Sequence, residues 1–129
     1  MGMLLYAETS EGHRLASSTT LEIPLRSGSL SKQEVKARQR GQEMAKWLLK
    51  QIELGGVVDE YLADQIIIFM ALATSGILEI TPPNERCEVL VGEVSLHTET
   101  AMRIAEKILN VVFSVKKQET GHLIECIRR

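Results

Sequence analysis

Between Asp59 and Gly76 lies a segment that reads as a helix with almost no polar side. Leu62, Ile66, Phe69, Met70 and Ala73 recur at helical spacing, and Ile67, Ile68, Ala71 and Leu72 fill most of the remaining circumference. A helix of that kind is stable only when other elements cover it on several sides. Asp59 is placed to cap its first turn and Gly76 to stop it. Its longest apolar run, Ile66 to Ala73, is far short of the roughly 20 residues that span a bilayer. The rest of the 129-residue chain must therefore supply the covering layers.

The flanking segments read as those layers. Met3 to Thr19 has the pattern of a β-hairpin turning at Ser10-Glu11-Gly12. Leu21 to Leu30, with Pro24, Ser27, Gly28 and Ser29, reads as irregular. Ser31 then opens a helix, with Glu34 placed to complete a capping box. Ala45, Leu48, Leu49 and Ile52 share one of its faces, and Gly55-Gly56 ends it. The charges at Lys36, Arg38, Arg40 and Lys50 read as its solvated side; no interleaved aromatics support nucleic-acid binding there. After the apolar helix, Ile77 to Ile80 resembles a short strand. Glu88 to Val91 and Val94 to Leu96 read as strands split by Gly92. A third helix is expected from Glu99 to Leu109, capped by Thr98, with Ala101, Ile104, Ala105 and Ile108 as its apolar stripe. Val111 to Lys117 and His122 to Ile127 close the chain as a second hairpin. The expected class is α+β, with helices on one face of a mixed or antiparallel sheet.

Composition narrows the function. Lys plus Arg is 15 and Asp plus Glu is 17, a net charge of −2. That excludes a strongly basic nucleic-acid coat and a disordered acidic tail. Cys87 and Cys126 are too few for a disulfide scaffold or a cysteine metal site. The first residues show no secretory leader, which predicts an intracellular protein with reduced thiols.

Three places have residues suited to chemistry. His97 lies at the start of the third helix, where orphan amides and the helix dipole attract phosphate. The same field disfavours imidazolium, so a neutral ring is expected, able to attack phosphorus. The plain alternative is a histidine that only helps to start the helix. Tyr61, Asp64 and Gln65 fall at i, i+3 and i+4, a polar and aromatic stripe on an otherwise apolar helix. Tyr61 suits stacking on a base, and Asp64 and Gln65 suit hydrogen bonds to a nucleotide or to water around a metal, although one carboxylate is not a metal site. The alternative is a polar cap on a buried helix. The carboxylates of Glu8 to Arg14 read as a solvated turn, and His13 and His122 as surface or edge residues.

The stretch from Gly55 to Ala73, with Tyr61-Leu62-Ala63-Asp64-Gln65 within it, resembles the C-terminal part of RNA 3′-terminal phosphate cyclases. So does Ser95-Leu96-His97-Thr98-Glu99-Thr100-Ala101, and Leu4 to His13 resembles a segment that precedes both. The order is kept over nearly the whole chain. The resemblance implies an ATP-dependent conversion of RNA 3′-phosphate ends to 2′,3′-cyclic phosphates. It implies His97 as the residue that becomes adenylylated, and Tyr61, Leu62, Ala63, Asp64 and Gln65 as part of the ATP site. Mg²⁺ or Mn²⁺ and a nuclear or cytoplasmic location are implied with it. A cyclase-like factor of ribosome assembly, or an inactive truncated product, is the other reading; factors of that kind lack the histidine motif.

Family members are much longer, and their glycine-rich N-terminal signature is absent here. The chain therefore reads as one C-terminal cyclase-like region, residues 1–129, with exposed sheet edges that invite self-association or docking of the missing N-terminal part. Residues 81–92, with Pro82-Pro83, read as an insertion between the nucleotide helix and His97.

Overall fold

The computed structural model describes residues 2–20, 30–77 and 86–129. The described elements run β1 (Gly2–Glu8), β2 (Arg14–Thr20), α1 (Leu30–Leu54), α2 (Glu60–Ser75), β3 (Arg86–Val91), α3 (Leu96–Ile108), β4 (Val111–Lys117) and β5 (His122–Arg128). The fold is α+β, as the pattern predicts. The chain divides into two compact units, Met1–Glu53 and Leu54–Arg129.

In the first unit, β1 and β2 pair antiparallel from Gly2↔Thr20 to Glu8↔Arg14. Gly12 turns the chain at φ 85, a conformation that costs glycine little. Arg14 Nε donates to Glu8 Oε2 at 2.6 Å, so this carboxylate closes the end of the hairpin. Helix α1 begins at Leu30, one residue ahead of the start expected at Ser31. The buried residues of α1 are Met44, Leu48 and Gln51, while Leu49 and Ile52 are exposed. The buried face is thus rotated from the expected one, with Leu48 common to both. Arg40 pairs with Glu43 and Arg38 with Glu34 along the helix, so this part of the charge run is a solvated face. Of the irregular stretch expected from Leu21 to Leu30, Leu30 begins α1; the rest of it, and most of the strand expected at 77–80, lie outside the described residues.

In the second unit, three antiparallel strands stand in the order β3-β5-β4. Val58 adds one parallel bridge to Val91 at the β3 edge. Both α2 and α3 pack on one face of this sheet. The core joins Ala63, Ile67, Met70 and Ala71 of α2 and Met102 and Ala105 of α3 to Val89, Val91, Val111, Ile124 and Cys126 of the strands. Arg86–Val91, the later half of the expected insertion, is strand β3 of the sheet. Gly121 has φ 72, and a Cβ there would run into the Val91 carbonyl, so the β4–β5 turn needs glycine.

Two expectations about burial are corrected. Helix α2 is not enclosed: Leu62, Ile68 and Phe69 are exposed, the last to 66%. One sheet and one neighbouring helix cover only one side of it within this unit. On α3 the inward residues are Thr98, Met102 and Ala105, and Ile104 and Ile108 face outward. Met102 fills the inward position that the apolar-stripe reading gave to the isoleucines.

The far face of the sheet places Glu88 directly opposite Glu125, an unfavourable like-charge pair. Cations offset it. Glu125 accepts from Lys116 Nζ at 2.8 Å and Ser114 Oγ at 3.1 Å, and pairs with Arg86 Nε at 2.8 Å. Arg86 also bonds Glu88. The Lys116 bond chiefly holds the Glu125 carboxyl below the usual carboxylate range, against a smaller opposing effect of burial. A carboxyl depressed by folding stabilises the fold above its unfolded pKa, and that contribution is lost as pH falls through the folded value. Glu125→Gln is accordingly expected to lower unfolding stability at pH 7. Denaturant titrations along an acid series should show the difference from wild type shrinking towards zero as the wild-type carboxyl protonates.

Candidate functional site

The site is built where the first turns of α2 and α3 meet. Asp59 caps α2, its Oδ1 accepting the Leu62 amide at 2.7 Å. Tyr61, Asp64 and Gln65 then occupy the side of the first two turns that the i, i+3, i+4 spacing predicts. Tyr61 and Gln65 are exposed and Asp64 is half-buried. Leu62 is exposed, and Ala63 is fully buried in the core.

At α3, Ser95 is the N-cap, not Thr98. The Ser95 hydroxyl accepts the Thr98 amide at 3.0 Å. This competes with extended pairing, which is why Val94 to Leu96 is loop and helix start and not a strand. His97 is therefore the second residue of α3 rather than the one ahead of it. Its ring is exposed. Helix geometry leaves the amides of Leu96 and His97 without intrahelical acceptors, so two N–H donors stand beside the imidazole.

Asp64 ties the two helices. Its Oδ1 accepts from Ser95 Oγ at 2.7 Å and from Thr98 Oγ1, and Thr98 is fully buried. The two hydroxyls are also 3.1 Å apart. One carboxylate oxygen thus gathers the hydroxyls on either side of His97. The sequence reading gave Asp64 to a nucleotide and missed Ser95 as its partner; the available signal was a serine three residues before Thr98, the usual spacing of a cap. Asp64 bonds the hydroxyls of Ser95 and Thr98, so the two motifs lie together in the fold.

Near this junction a cleft of about 500 Å³ is lined by Glu60, Glu93, Val94, Ser95, Glu99, Val115 and His122. Three carboxylates make it a poor place for phosphate. His122 Nδ1 lies 3.1 Å from the Gly92 carbonyl. That oxygen can only accept, so Nδ1 carries the proton and this histidine braces a loop. His13 is exposed in the β1–β2 turn, 3.6 Å from Glu11. Among the described residues no cluster of three or more His, Cys, Asp or Glu side chains can hold a metal ion, and no helix is long and apolar enough to cross a membrane.

The geometry is thus an exposed histidine in a helix's first turn, pinned through its neighbours to a helix that carries a tyrosine and a glutamine. The family model described as RNA 3′-terminal phosphate cyclase matches residues 10–115, most of the chain and all of these residues. The chain belongs to the RNA 3′-terminal phosphate cyclase family. It is 36% identical over 99 residues to the probable RNA 3′-terminal phosphate cyclase of Dictyostelium discoideum, covering 71% of this chain and 21% of that protein. It is 32% identical to the RNA 3′-terminal phosphate cyclase of Methanosarcina barkeri, over 90% of this chain and 32% of that one. It is 33% identical to the probable RNA 3′-terminal phosphate cyclase-like protein of Arabidopsis thaliana, over 95% of this chain and 32% of that one. The chain spans about a third or less of the length of these relatives.

Proposed function

We propose that this chain is the nucleophile-bearing part of an ATP-dependent RNA 3′-phosphate cyclase. One observation carries the reading: His97 is exposed in the first turn of α3, and its two flanking hydroxyl residues are fixed by Asp64 of the Tyr61-Leu62-Ala63-Asp64-Gln65 segment. A ring nitrogen of His97 attacks the α-phosphorus of ATP, and the bond to pyrophosphate breaks. The free amides of the turn favour the negative charge that builds on the phosphoryl oxygens. An oxygen of the RNA 3′-phosphate then takes the AMP from His97. The adjacent 2′-hydroxyl attacks the activated phosphorus, closing the 2′,3′-cyclic phosphate and releasing AMP. Tyr61 and Gln65 are exposed where they can meet the nucleotide. Leu62 offers apolar contact there, and buried Ala63 permits close packing beneath. Mg²⁺ or Mn²⁺ is implied by the resemblance, and among the described residues no cluster of three or more His, Cys, Asp or Glu side chains can hold it.

The test is to incubate the folded chain with ATP labelled on the α-phosphate. Acid-labile label on the protein is expected. Folded protein that takes up no label sinks activity of this chain on its own. The second reading is a non-catalytic cyclase-like factor of ribosome assembly. The presence of His97 favours the enzyme over it.

The chain is also proposed to self-associate. Leu62, Ile68 and Phe69 on α2 and Ile104 and Ile108 on α3 are exposed, and β4 forms an edge of its sheet. Exposed apolar side chains and open strand edges favour association. Sedimentation of the purified chain should give a mass that rises with concentration; a monomer throughout the micromolar range rejects this.

A further inference from the structure

Cys87 on β3 and Cys126 on β5 stand directly opposite each other in the antiparallel register. Opposed residues of such a pair project from the same face of the sheet. Here that face is the core face: Cys126 is fully buried, and Cys87 is half-buried and packed against the core cluster. Directly opposed residues have Cα atoms about 4.5–5.5 Å apart. That lies inside the range of about 4.4–6.8 Å over which disulfides form. Both thiols are free in this structure.

We propose that Cys87 and Cys126 are a reversible redox modification site, closing a cross-strand disulfide when they meet an oxidant of the glutathione-disulfide class. The unequal burial sets the order of events. Cys87 alone is accessible, so its thiolate attacks one sulfur of the oxidant. That sulfur–sulfur bond breaks, and one glutathione leaves and takes up a proton. Cys126 then gives up its proton and attacks the Cys87 sulfur, expelling the second glutathione. Two protein thiols are oxidised and one disulfide is reduced to two thiols. Burial pushes the Cys126 thiol up, which disfavours it as the first attacker; its place directly opposite Cys87 fits it to the second, intramolecular step.

The bond would close residues 88–125 into a covalent loop that contains α3 and His97. It touches neither His97 nor Asp64, and it lies at the opposite end of the β3–β5 ladder from Val91↔His122. Its expected effect is therefore on the firmness of the unit, not on access to His97. Nothing in this inference depends on the chain acting as a cyclase.

The test uses the native full chain in glutathione buffers of increasing oxidised fraction. Samples are quenched in acid, alkylated and mapped by peptide mass spectrometry. An intramolecular Cys87–Cys126 disulfide is expected, reversed by dithiothreitol, with a melting temperature raised by about 10 °C. Cys126→Ser should stop at a mixed glutathione disulfide on Cys87, and folded Cys87→Ser should take up no glutathione. The proposal is overturned if both thiols of the folded wild type remain alkylatable in a buffer that oxidises the denatured chain. It is equally overturned if only disulfides between chains form. The wild-type map decides by itself should a serine variant fail to fold.

Discussion

Alanine at His97 is expected to leave the chain folded and, on the proposed mechanism, to remove the α-phosphate label altogether. The two halves of this result have separate physical grounds. The imidazole is exposed and bonds nothing among the described residues, so its loss is expected to change stability by no more than about 0.5 kcal/mol. Chemistry has no such tolerance. A covalent intermediate needs a lone pair on the attacking atom, and alanine supplies none. Ser95 and Thr98 do not replace it, because their hydroxyls are committed to Asp64 and to the α3 amide. The measurement is autoradiography of acid-quenched wild type and His97→Ala, beside thermal unfolding of both. Label that persists at the wild-type level in the variant would place the nucleophile elsewhere. Equal thermal stability with no label would separate the chemical role from the structural one.

Much of the second unit was legible in the sequence, and the reasons are local. The β4–β5 hairpin is read from Val111, Phe113 and Val115 alternating ahead of a glycine that the turn requires at φ 72. Helix α2 is bounded as expected because Asp59 and Gly76 are caps of well-defined chemistry. What failed was the sidedness of helices. Composition shows how apolar a segment is but not how many neighbours cover it, so α2 read as enclosed although Phe69 and Ile68 face outward. The start of α3 was misplaced for a different reason. Ser95 and Thr98 are both good caps; Ser95 takes the place, its hydroxyl accepting the Thr98 amide, while both hydroxyls also reach Asp64. The candidate site was legible as two motifs. The bond that joins them spans more than thirty residues, and no periodicity in either segment encodes it.

That bond makes Asp64 the residue at which fold and chemistry are most tightly coupled. Asp64→Ala is expected to destabilise the chain by about 2–3 kcal/mol. The buried Thr98 hydroxyl and the half-buried Ser95 hydroxyl both lose a charged acceptor, and bonds to charged groups are worth about 1.5–3 kcal/mol. The 3.1 Å contact between the two hydroxyls keeps the loss from doubling, since one can still donate to the other. Asp64→Asn should behave differently. A single oxygen, Oδ1, receives both hydroxyls in the wild type, and an amide oxygen in that place can do the same. The asparagine variant should therefore stay within about 1 kcal/mol of wild type. Labelling from ATP should fall about 10²-fold in Asp64→Ala, because the first turn of α3 is held less firmly and small displacements of a nucleophile are costly. Urea unfolding of the three proteins, with the rate of label uptake measured on each, tests both parts. An alanine variant as stable as wild type would show that Asp64 does not hold the two helices together. An asparagine variant that keeps its stability and loses the label would assign the carboxylate charge to the nucleotide instead of to the hydroxyls.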